Sequence, residues 1–359
     1  MRGEVVDSYR YAAWLFAKVV SDGYIGMVRT IPQFYGFIYD RAERAPVAGG
    51  FRVWASAFTA RNIRGLIARM QPSVVVCTHA FPCGGVMAAY KREFDPQIPV
   101  LGIVTDFVVH PFWIYPNIDA YAVATPEIRA TMIERGIDPA AVEVDGIPVD
   151  ARFGVHVDRV ALRERLGLPA AGFVALVMGG GLGLGPVAAA VRALARARSG
   201  VTAVVIAGKN RALERSLREA AQRDGSDVRV LGFVDDVPDW MRAADVLVTK
   251  PGGVTTSEAL AAGTPLVLLR PLPGQEERNA AYLVSRGAAL RARDDDDLVR
   301  AVESIRSDEG IADRLRRAAA ELARPHAADR IAQRVAALSG RTAPSVALLM
   351  GAVPTGSRG

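Results

Sequence analysis

The feature that most constrains the fold is an alternation of short, β-branched apolar runs with helical stretches, which occurs twice along the chain. In the first half these runs cover residues 71–79, 99–106, 120–124 and 142–147. After a break at 147–154 the pattern resumes with runs at 174–178, 202–207, 228–231, 246–249 and 265–269. Strands that alternate with helices predict parallel sheets covered by helices on both faces.

The length agrees with two such units. A chain of 359 residues, half of them hydrophobic, is too long for one ordinary core. We expect an α/β fold with two Rossmann-like domains facing across a cleft, where ligands bind at the carboxyl ends of the strands. The predicted domains are 1–150 and 151–340, followed by a flexible tail at 341–359 that is rich in glycine, serine, threonine and proline.

Composition excludes several classes of protein. Charged residues make up 23% of the chain, which is typical of a globular protein and not of a disordered one. No apolar run reaches the roughly 18–20 residues of a membrane span, and the first residues lack a signal peptide, so we expect a cytoplasmic protein. Cys77 and Cys83 are too few for a disulfide framework and lack the companions of a zinc site, which predicts buried thiols.

Positive charge is concentrated near the start of the chain. The net charge is +6, and residues 41–70 hold six arginines against one glutamate. Apolar residues at 63, 66, 67 and 70 recur at helical spacing, with Arg61, Arg64 and Arg69 between them. One interpretation is a solvated helix with one face in the core. A more specific interpretation is a basic surface that binds anionic lipid. The sequence contains no nucleic-acid-binding module, so nucleic acid is not an expected partner.

Two glycine-rich turns follow predicted strands in the second half. The cluster at 179–185 resembles a loop that brings backbone N–H groups to a phosphate, although a merely tight turn explains it nearly as well. The segment 249–260, Thr-Lys-Pro-Gly-Gly-Val-Thr-Thr-Ser-Glu-Ala-Leu, is more informative. It places free N–H groups and three hydroxyls at a positive helix end, which suits a diphosphate. Ordinary helix capping needs fewer such groups.

Several motifs occur in an order that resembles a known family. They are Lys250-Pro-Gly-Gly-Val-Thr-Thr-Ser-Glu258, Ala262-Gly-Thr-Pro265, Pro271-Leu-Pro-Gly-Gln-Glu-Glu-Arg-Asn279, Thr78-His-Ala-Phe81, the stretch 104–113 and the stretch 231–241. Together they resemble the monogalactosyldiacylglycerol synthase and processive diacylglycerol glucosyltransferase family, which is related to the enzyme that adds N-acetylglucosamine to lipid I. The resemblance covers roughly residues 5–335 and implies the GT-B fold.

The resemblance implies an inverting, metal-independent transfer from a UDP-sugar to a lipid hydroxyl, without a cofactor. UDP-glucose or UDP-galactose is the implied donor, a diacylglycerol-type lipid the acceptor, and the inner face of the cell membrane the peripheral location. Phe233 and Val234 would contact uracil, and Glu258 would hold the ribose. Gly253, Thr255 and Thr256 would hold the diphosphate, and Gly181 with neighbouring glycines would line the phosphate side of the cleft. The implied readers of the sugar hydroxyls are Gln275, Glu276 and Asn279.

One family element has no counterpart in this sequence, namely the first strand with its Gly-x-Gly-His loop. We therefore expect an incomplete N-terminal sheet with an exposed edge. The transfer still needs a base for the acceptor hydroxyl. Asp106 and His79 each end a predicted strand, and His110 follows shortly after, so these three are the catalytic candidates. The alternative for both histidines is a structural role in loop hydrogen bonding.

The sequence is compatible with three further functions. A lipid-linked peptidoglycan-type or natural-product acceptor would fit the same donor half. A UDP-sugar-binding protein without catalysis would fit the absent loop. An epimerase of similar fold fits less well, because the segment with Asp106, His110 and Trp113 favours the lipid family.

Overall fold

The computed structural model describes residues 3–7, 63–80, 83–84, 86, 98–115, 117–181, 183, 185–197, 200–271 and 274–340, and the backbone of 346–350. The chain divides into two compact units. The first contains Met1–Ile147, Leu272–Gln275 and Ala327–Gly359, and the second contains Pro148–Pro271 and Glu276–His326. Each unit is built on a parallel six-stranded sheet, as the alternating pattern predicts.

The first unit holds six described strands and two labelled helices. The strands are β1 (Gly3–Asp7), β2 (Val74–Cys77), β3 (Val100–Ile103), β4 (Ala120–Ala122), β5 (Val142–Glu143) and β12 (Val346–Met350). The helices are α1 (Pro126–Glu134) and α10 (Ala327–Ser339). The sheet order is β1-β12-β2-β3-β4-β5, and all neighbours run parallel.

The position of β12 corrects two expectations about this unit. The tail after Gly340 contains a strand, and this strand lies inside the sheet, where Val346 pairs with both Gly3 and Val74. The sheet is therefore not left incomplete beside β2, because β12 and then β1 continue it on that side. Residues 341–345 and 351–359 of the predicted tail lie outside the described residues.

Helix α10 also belongs to the first unit, although the sequence suggests a second domain that continues to residue 340. Its apolar side chains Ile331 and Leu338 pack into the core formed by β2, β3 and β4. Arg334 faces Asp145 at 3.4 Å, which fixes the same helix to the end of the sheet. Burial of this apolar face against the first sheet explains why α10 belongs to the first unit, whereas the helices before it belong to the second.

The predicted basic helix is described from residue 63 to 70. Ile63, Leu66 and Ile67 are buried, so its apolar face lies in the core as predicted. Arg69 is exposed on the opposite face. Arg61 and the helices predicted over 8–37 lie outside the described residues. Cys77 and Cys83 are buried free thiols, as predicted, and burial raises the pKa of Cys83.

The second unit holds six strands and eight helices within the described residues. The strands are β6 (Phe173–Met178), β7 (Val201–Ile206), β8 (Val228–Leu231), β9 (Val246–Thr249), β10 (Leu266–Leu269) and β11 (Ala289–Ala292). The helices are α2 (Arg159–Arg165), α3 (Val187–Ala197), α4 (Arg211–Asp224), α5 (Val237–Ala243), α6 (Gly253–Ala262), α7 (Gln275–Ser285), α8 (Asp295–Ser307) and α9 (Glu309–Leu322). The central strands are buried on both faces, as their β-branched residues favour.

A buried ion pair fixes the amino-terminal end of β9. Asp245 precedes this strand and accepts hydrogen bonds from Arg163 at 2.6 Å and from the backbone N–H of Val174 at 2.7 Å. The Arg163 guanidinium is 6% exposed and also donates to the carbonyls of Ala243 and Gly172. Both charges are thus hydrogen-bonded at several atoms, which a buried pair requires to be tolerated.

Candidate functional site

The order in which the chain adds strands to the second sheet reverses between β6 and β9. Its order is β11-β10-β9-β6-β7-β8, so the chain winds to one side after β6 and to the other side after β9. The turns that leave these two strands contain both glycine-rich segments found in the sequence. In doubly wound sheets, ligands bind at the carboxyl ends of the strands at such a switch point.

The turn after β6 lies directly against the turn after β7. Gly183 has a φ of +57°, and a Cβ added there would lie 2.3 Å from the carbonyl oxygen of Ala207. Gly208 has a φ of +60°, and its Cβ would lie 2.6 Å from the carbonyl oxygen of Gly181. Both positions therefore require glycine. Gly181 itself is exposed, and its carbonyl accepts a hydrogen bond of 3.1 Å from the N–H of Lys209.

The turn after β9 leads into the start of α6. Gly252 caps this helix without a side-chain hydrogen bond, and Gly253 is its first residue. The first N–H groups of a helix have no acceptor within the helix, and the helix dipole makes this end attractive to anions. A Cβ at Gly180 would lie 3.7 Å from the Thr255 hydroxyl oxygen. The two glycine-rich turns thus meet beside Thr255.

Thr256 occupies a different position from Thr255. Its side chain is fully buried, and its hydroxyl donates to the carbonyls of Gly252 at 2.8 Å and Gly253 at 3.1 Å. These bonds fix the first turn of α6. The predicted contact between the Thr256 hydroxyl and a diphosphate gains no support from this geometry and stays a prediction.

Glu258 lies one turn further along α6 and is half-buried. Burial, followed by the Coulomb effect of Asp150, raises the pKa of its carboxyl to about 7. No hydrogen bond or ion pair joins Glu258 to the rest of the described chain. A half-buried carboxylate with a raised pKa and no partner is costly to the fold, and such groups are concentrated at functional sites.

Phe233 and Val234 lie in the loop after β8, at the same edge of the sheet. The Phe233 side chain is 58% exposed. The Lys209 ammonium, from the turn after β7, lies 5.6 Å from the centre of its ring, within the range of a cation–π contact. An exposed aromatic ring beside a lysine can receive a flat anionic ligand. The predicted contact with uracil stays a prediction.

The three predicted readers of the sugar make contacts within the protein. Glu276 forms an ion pair of 2.7 Å with Lys250. Asn279 is fully buried, and its amide donates to the Pro251 carbonyl at 3.1 Å, so it holds the turn before α6. Gln275, which belongs to the first unit, donates to the carbonyl of Val108 at 2.5 Å. Their predicted contacts with sugar hydroxyls are untested.

In the first unit, His79 and Asp106 follow two neighbouring parallel strands. β2 ends at Cys77 and β3 at Ile103, and these strands pair directly. The His79 and Asp106 positions therefore share the carboxyl edge of this sheet. His79 is exposed, although nearby protein atoms partly desolvate its imidazole and lower its pKa. A lowered pKa keeps the ring neutral at pH 7 and able to accept a proton.

His110 is placed differently from His79. It is 7% exposed, and its Nδ1 accepts a hydrogen bond of 3.2 Å from the N–H of Phe112. The imidazole thereby caps the 3₁₀ turn at Pro111–Trp113, and it packs edge-on against the Phe112 ring. These contacts agree with the structural alternative for His110.

Four charged residues at the second unit's site were not singled out by the sequence. They are Asp150, Arg152, Lys209 and Lys250. Lys250 directly follows β9, which borders the switch point, and Lys209 comes three residues after the end of β7, the neighbour of β6; this placement is a usable signal. Nothing in the sequence marks Asp150 and Arg152, because their place depends on how the segment after Ile147 packs.

The described residues contain no group of three or more His, Cys, Asp or Glu side chains arranged to hold a metal ion. Among the helices in the described part of the chain, none has the length and apolar content needed to cross a bilayer.

Two family models match the chain, one in each half. Residues 1–149 match the model for monogalactosyldiacylglycerol (MGDG) synthase, and residues 184–322 match the model for glycosyl transferases group 1.

Individual relatives agree with these models. The processive diacylglycerol beta-glucosyltransferase of Bacillus pumilus is 31% identical over 85% of this chain and 79% of its own length. The enzyme of the same name from Bacillus subtilis is 30% identical over 87% of this chain and 81% of its own length.

Solved structures share the fold at low sequence identity. The UDP complex of S. aureus MnaA has a TM-score of 0.58 at 16% identity and covers 81% of this chain and 83% of its own. Anabaena HepE with UDP and glucose has a TM-score of 0.52 at 17% identity and covers 77% and 81%. With the two parallel-sheet units, these likenesses confirm the predicted GT-B fold.

Proposed function

Since this chain belongs to the family of monogalactosyldiacylglycerol synthases and processive diacylglycerol glucosyltransferases, we propose that it transfers a hexose from UDP-glucose or UDP-galactose to the hydroxyl of a diacylglycerol-type lipid. The family makes the chain a UDP-sugar-dependent hexosyltransferase. We further propose which sugar is transferred, which lipid accepts it and where in the cell the reaction occurs.

The observation that carries the proposal is the convergence of donor-binding chemistry at the switch point of the second sheet. Two glycine turns meet beside Thr255 at the start of α6, where the capping residue is a glycine without a side-chain hydrogen bond. Glu258 stands one turn further on, without a protein partner among the described residues. Together they supply N–H donors for a diphosphate and an acceptor for ribose hydroxyls.

Loss of UDP places negative charge on the diphosphate as the sugar leaves. The α6 N-terminus stabilises this charge through fixed backbone dipoles, which cost no reorganisation during the reaction. Lys250, whose aliphatic chain would lie 4.0 Å from a Cβ at Gly185, adds a positive charge beside the same turns. These groups supply the stabilisation for which other transferases use a metal ion, so we propose metal-independent transfer.

The acceptor hydroxyl must lose its proton as it attacks the anomeric carbon from the face opposite UDP. We propose Asp106 as the base, with His79 as a second proton acceptor at the same sheet edge. The lowered pKa of His79 leaves the ring neutral at pH 7 but makes it a weaker proton acceptor, so we give it the second place. We assign His110 to loop structure, because its Nδ1 already accepts a hydrogen bond from the backbone.

The lipid acceptor places the reaction at a membrane surface. The helix at 63–70 buries its apolar face and presents Arg69 to solvent, which supports a basic surface that meets anionic lipid. We therefore propose peripheral association with the inner face of the cell membrane, driven by charge and weakened by salt.

The test is to incubate the full chain with radiolabelled UDP-glucose or UDP-galactose and vesicles that contain diacylglycerol, with anionic or neutral carrier lipid. We expect labelled glycolipid from one donor, more on anionic vesicles, and unchanged activity in EDTA. Glu258→Gln should abolish most transfer, whereas Glu219→Gln on the exposed side of α4 should not. UDP binding without glycolipid from either donor would make the chain a UDP-sugar-binding protein and refute the proposal.

A further inference from the structure

The segment at 148–155, which opens the second unit, packs against both helices that flank the proposed nucleoside site. Its 3₁₀ turn, Ala151–Gly154, lies against α5 and against α6. Helix α5 follows the loop that holds Phe233 and Val234, and α6 carries Glu258. The segment therefore packs against the helix next to the proposed uracil-binding loop and against the helix that carries the proposed ribose ligand.

Asp150 is the charged group of this segment that acts on Glu258. It caps the 3₁₀ turn by accepting the N–H of Arg152 at 2.9 Å. Its other oxygen accepts from the Arg152 guanidinium twice, at 2.8 Å and 3.0 Å. The Asp150 charge raises the pKa of Glu258, and Arg152 lowers the pKa of Asp150. Arg152 is thus the counter-charge to the carboxylate that opposes ionisation of Glu258.

Arg152 also reaches the loop after β8. Its remaining guanidinium nitrogen, Nη1, lies 3.4 Å from the carbonyl oxygen of Asp235, the residue after Val234. In return, Arg242 on α5 donates to the carbonyls of Arg152 and Val155. The 3₁₀ turn is therefore bonded both to the loop and to the helix that follows the loop.

We propose that Arg152 is a positioning residue for the nucleoside part of the donor, holding the Phe233–Asp235 loop in place and masking Asp150 so that Glu258 meets the ribose as a carboxylate. This inference rests on the proposed function. The Arg152 side chain is 62% exposed and that of Asp150 is 44% exposed. Exposed ion pairs contribute little to stability, so substitution leaves the fold intact and isolates the effect on the site.

Other charged groups lie on the elements packed against α6. Helix α5 carries Asp239 and Arg242, which pair with each other. Helix α9 carries Glu309, Asp313, Arg314, Arg316, Arg317 and Glu321. None of these has a resolved effect on the pKa of Glu258, whereas Asp150 does. Burial is the larger cause of the Glu258 shift and is common to all variants, so a change in the pH midpoint between variants reports on the Asp150–Arg152 pair.

The experiment measures UDP affinity of the full chain by calorimetry from pH 6 to pH 8.5. Arg152→Ala unmasks Asp150, so the pH midpoint for UDP binding should rise by about half a unit, with an affinity loss of about twofold at pH 7 that shrinks at pH 8.5. Asp150→Asn removes the opposing charge and should lower the midpoint. Arg300→Ala, which removes an exposed arginine from an ion pair on α8, is the control and should change neither quantity.

Two results would overturn the inference. One is an Arg152→Ala chain with the affinity and the pH midpoint of the unsubstituted chain. The other is an Asp150→Asn chain with an unshifted midpoint, because Asp150 would then not act on the ribose carboxylate. A merely structural role of Arg152 would lower affinity equally at every pH. Failure of the unsubstituted chain to bind UDP at any pH would instead refute the proposed function.

Discussion

Replacing Glu258 by glutamine should raise the stability of the folded chain and lower its affinity for UDP. Burial raises the pKa of Glu258 from its ordinary value of 4.5 to about 7. Between these two values the folded chain keeps a proton that the unfolded chain releases, so the free energy of unfolding falls as pH rises. One pKa unit corresponds to about 1.4 kcal/mol, so the cost of an ionised Glu258 approaches about 3 kcal/mol above pH 7.

Glutamine has nearly the same shape as glutamate and cannot ionise, so Glu258→Gln should match the unsubstituted chain at pH 5 and exceed its stability at pH 8. With roughly 2–4 °C of Tm for each kcal/mol in a domain of this size, the gain at pH 8 is about 6–12 °C. The variant also loses the charged acceptor for ribose, so UDP should raise its Tm much less. An increase in stability with a loss of binding is typical of a functional carboxylate.

The assay is thermal unfolding at pH 5, 6, 7 and 8, with and without UDP, for both chains and for the exposed control Glu219→Gln. The unsubstituted chain should lose stability relative to Glu258→Gln as pH rises, and the control should follow the unsubstituted chain. An equal Tm difference at pH 5 and pH 8 would refute the reasoning, because ionisation of Glu258 would then carry no cost in the fold.

Other substitutions test the surroundings of the site. Asp245→Ala leaves the buried Arg163 guanidinium without its carboxylate and should cost about 3–5 kcal/mol in denaturant unfolding, whereas Glu303→Ala at a surface pair should cost less than about 1 kcal/mol. Lys250→Ala removes the positive charge beside the two glycine turns and should weaken UDP binding about tenfold in calorimetry. Deletion of 341–359 removes an interior strand, so proteolysis should digest the first unit sooner while UDP binding persists.

The sequence predicts most strands because β-branched runs are buried on both faces of a parallel sheet. β6 and β9 are examples, with Val177 and Val248 fully buried. β11 was not predicted, since its residues Ala-Leu-Arg-Ala have little strand preference and its place depends on pairing with β10. β12 was missed for a related reason, because its partners lie at the other end of the chain.

The candidate site was predictable where its chemistry is local. Gly253 and Thr255 follow a strand directly, so their position at the start of α6 could be derived from spacing. The engagement of Thr256 with the helix carbonyls depends on which side of α6 faces the core, and the motif does not encode this. The effect of Asp150 on Glu258 arises from tertiary packing across a long stretch of sequence, which periodicity cannot detect.

The pairing of β12 with β1 has a consequence for how the chain folds. Gly3 finds its partner at Val346, so this contact closes a loop of almost the whole chain and carries a large entropic cost. During synthesis, every strand of the second sheet has left the ribosome before β12 has been made. The second sheet can therefore assemble while the first still lacks the strand that joins β1 to β2. The second unit, which holds the proposed donor site, is thus able to fold first, although the other sheet begins nearer the N-terminus.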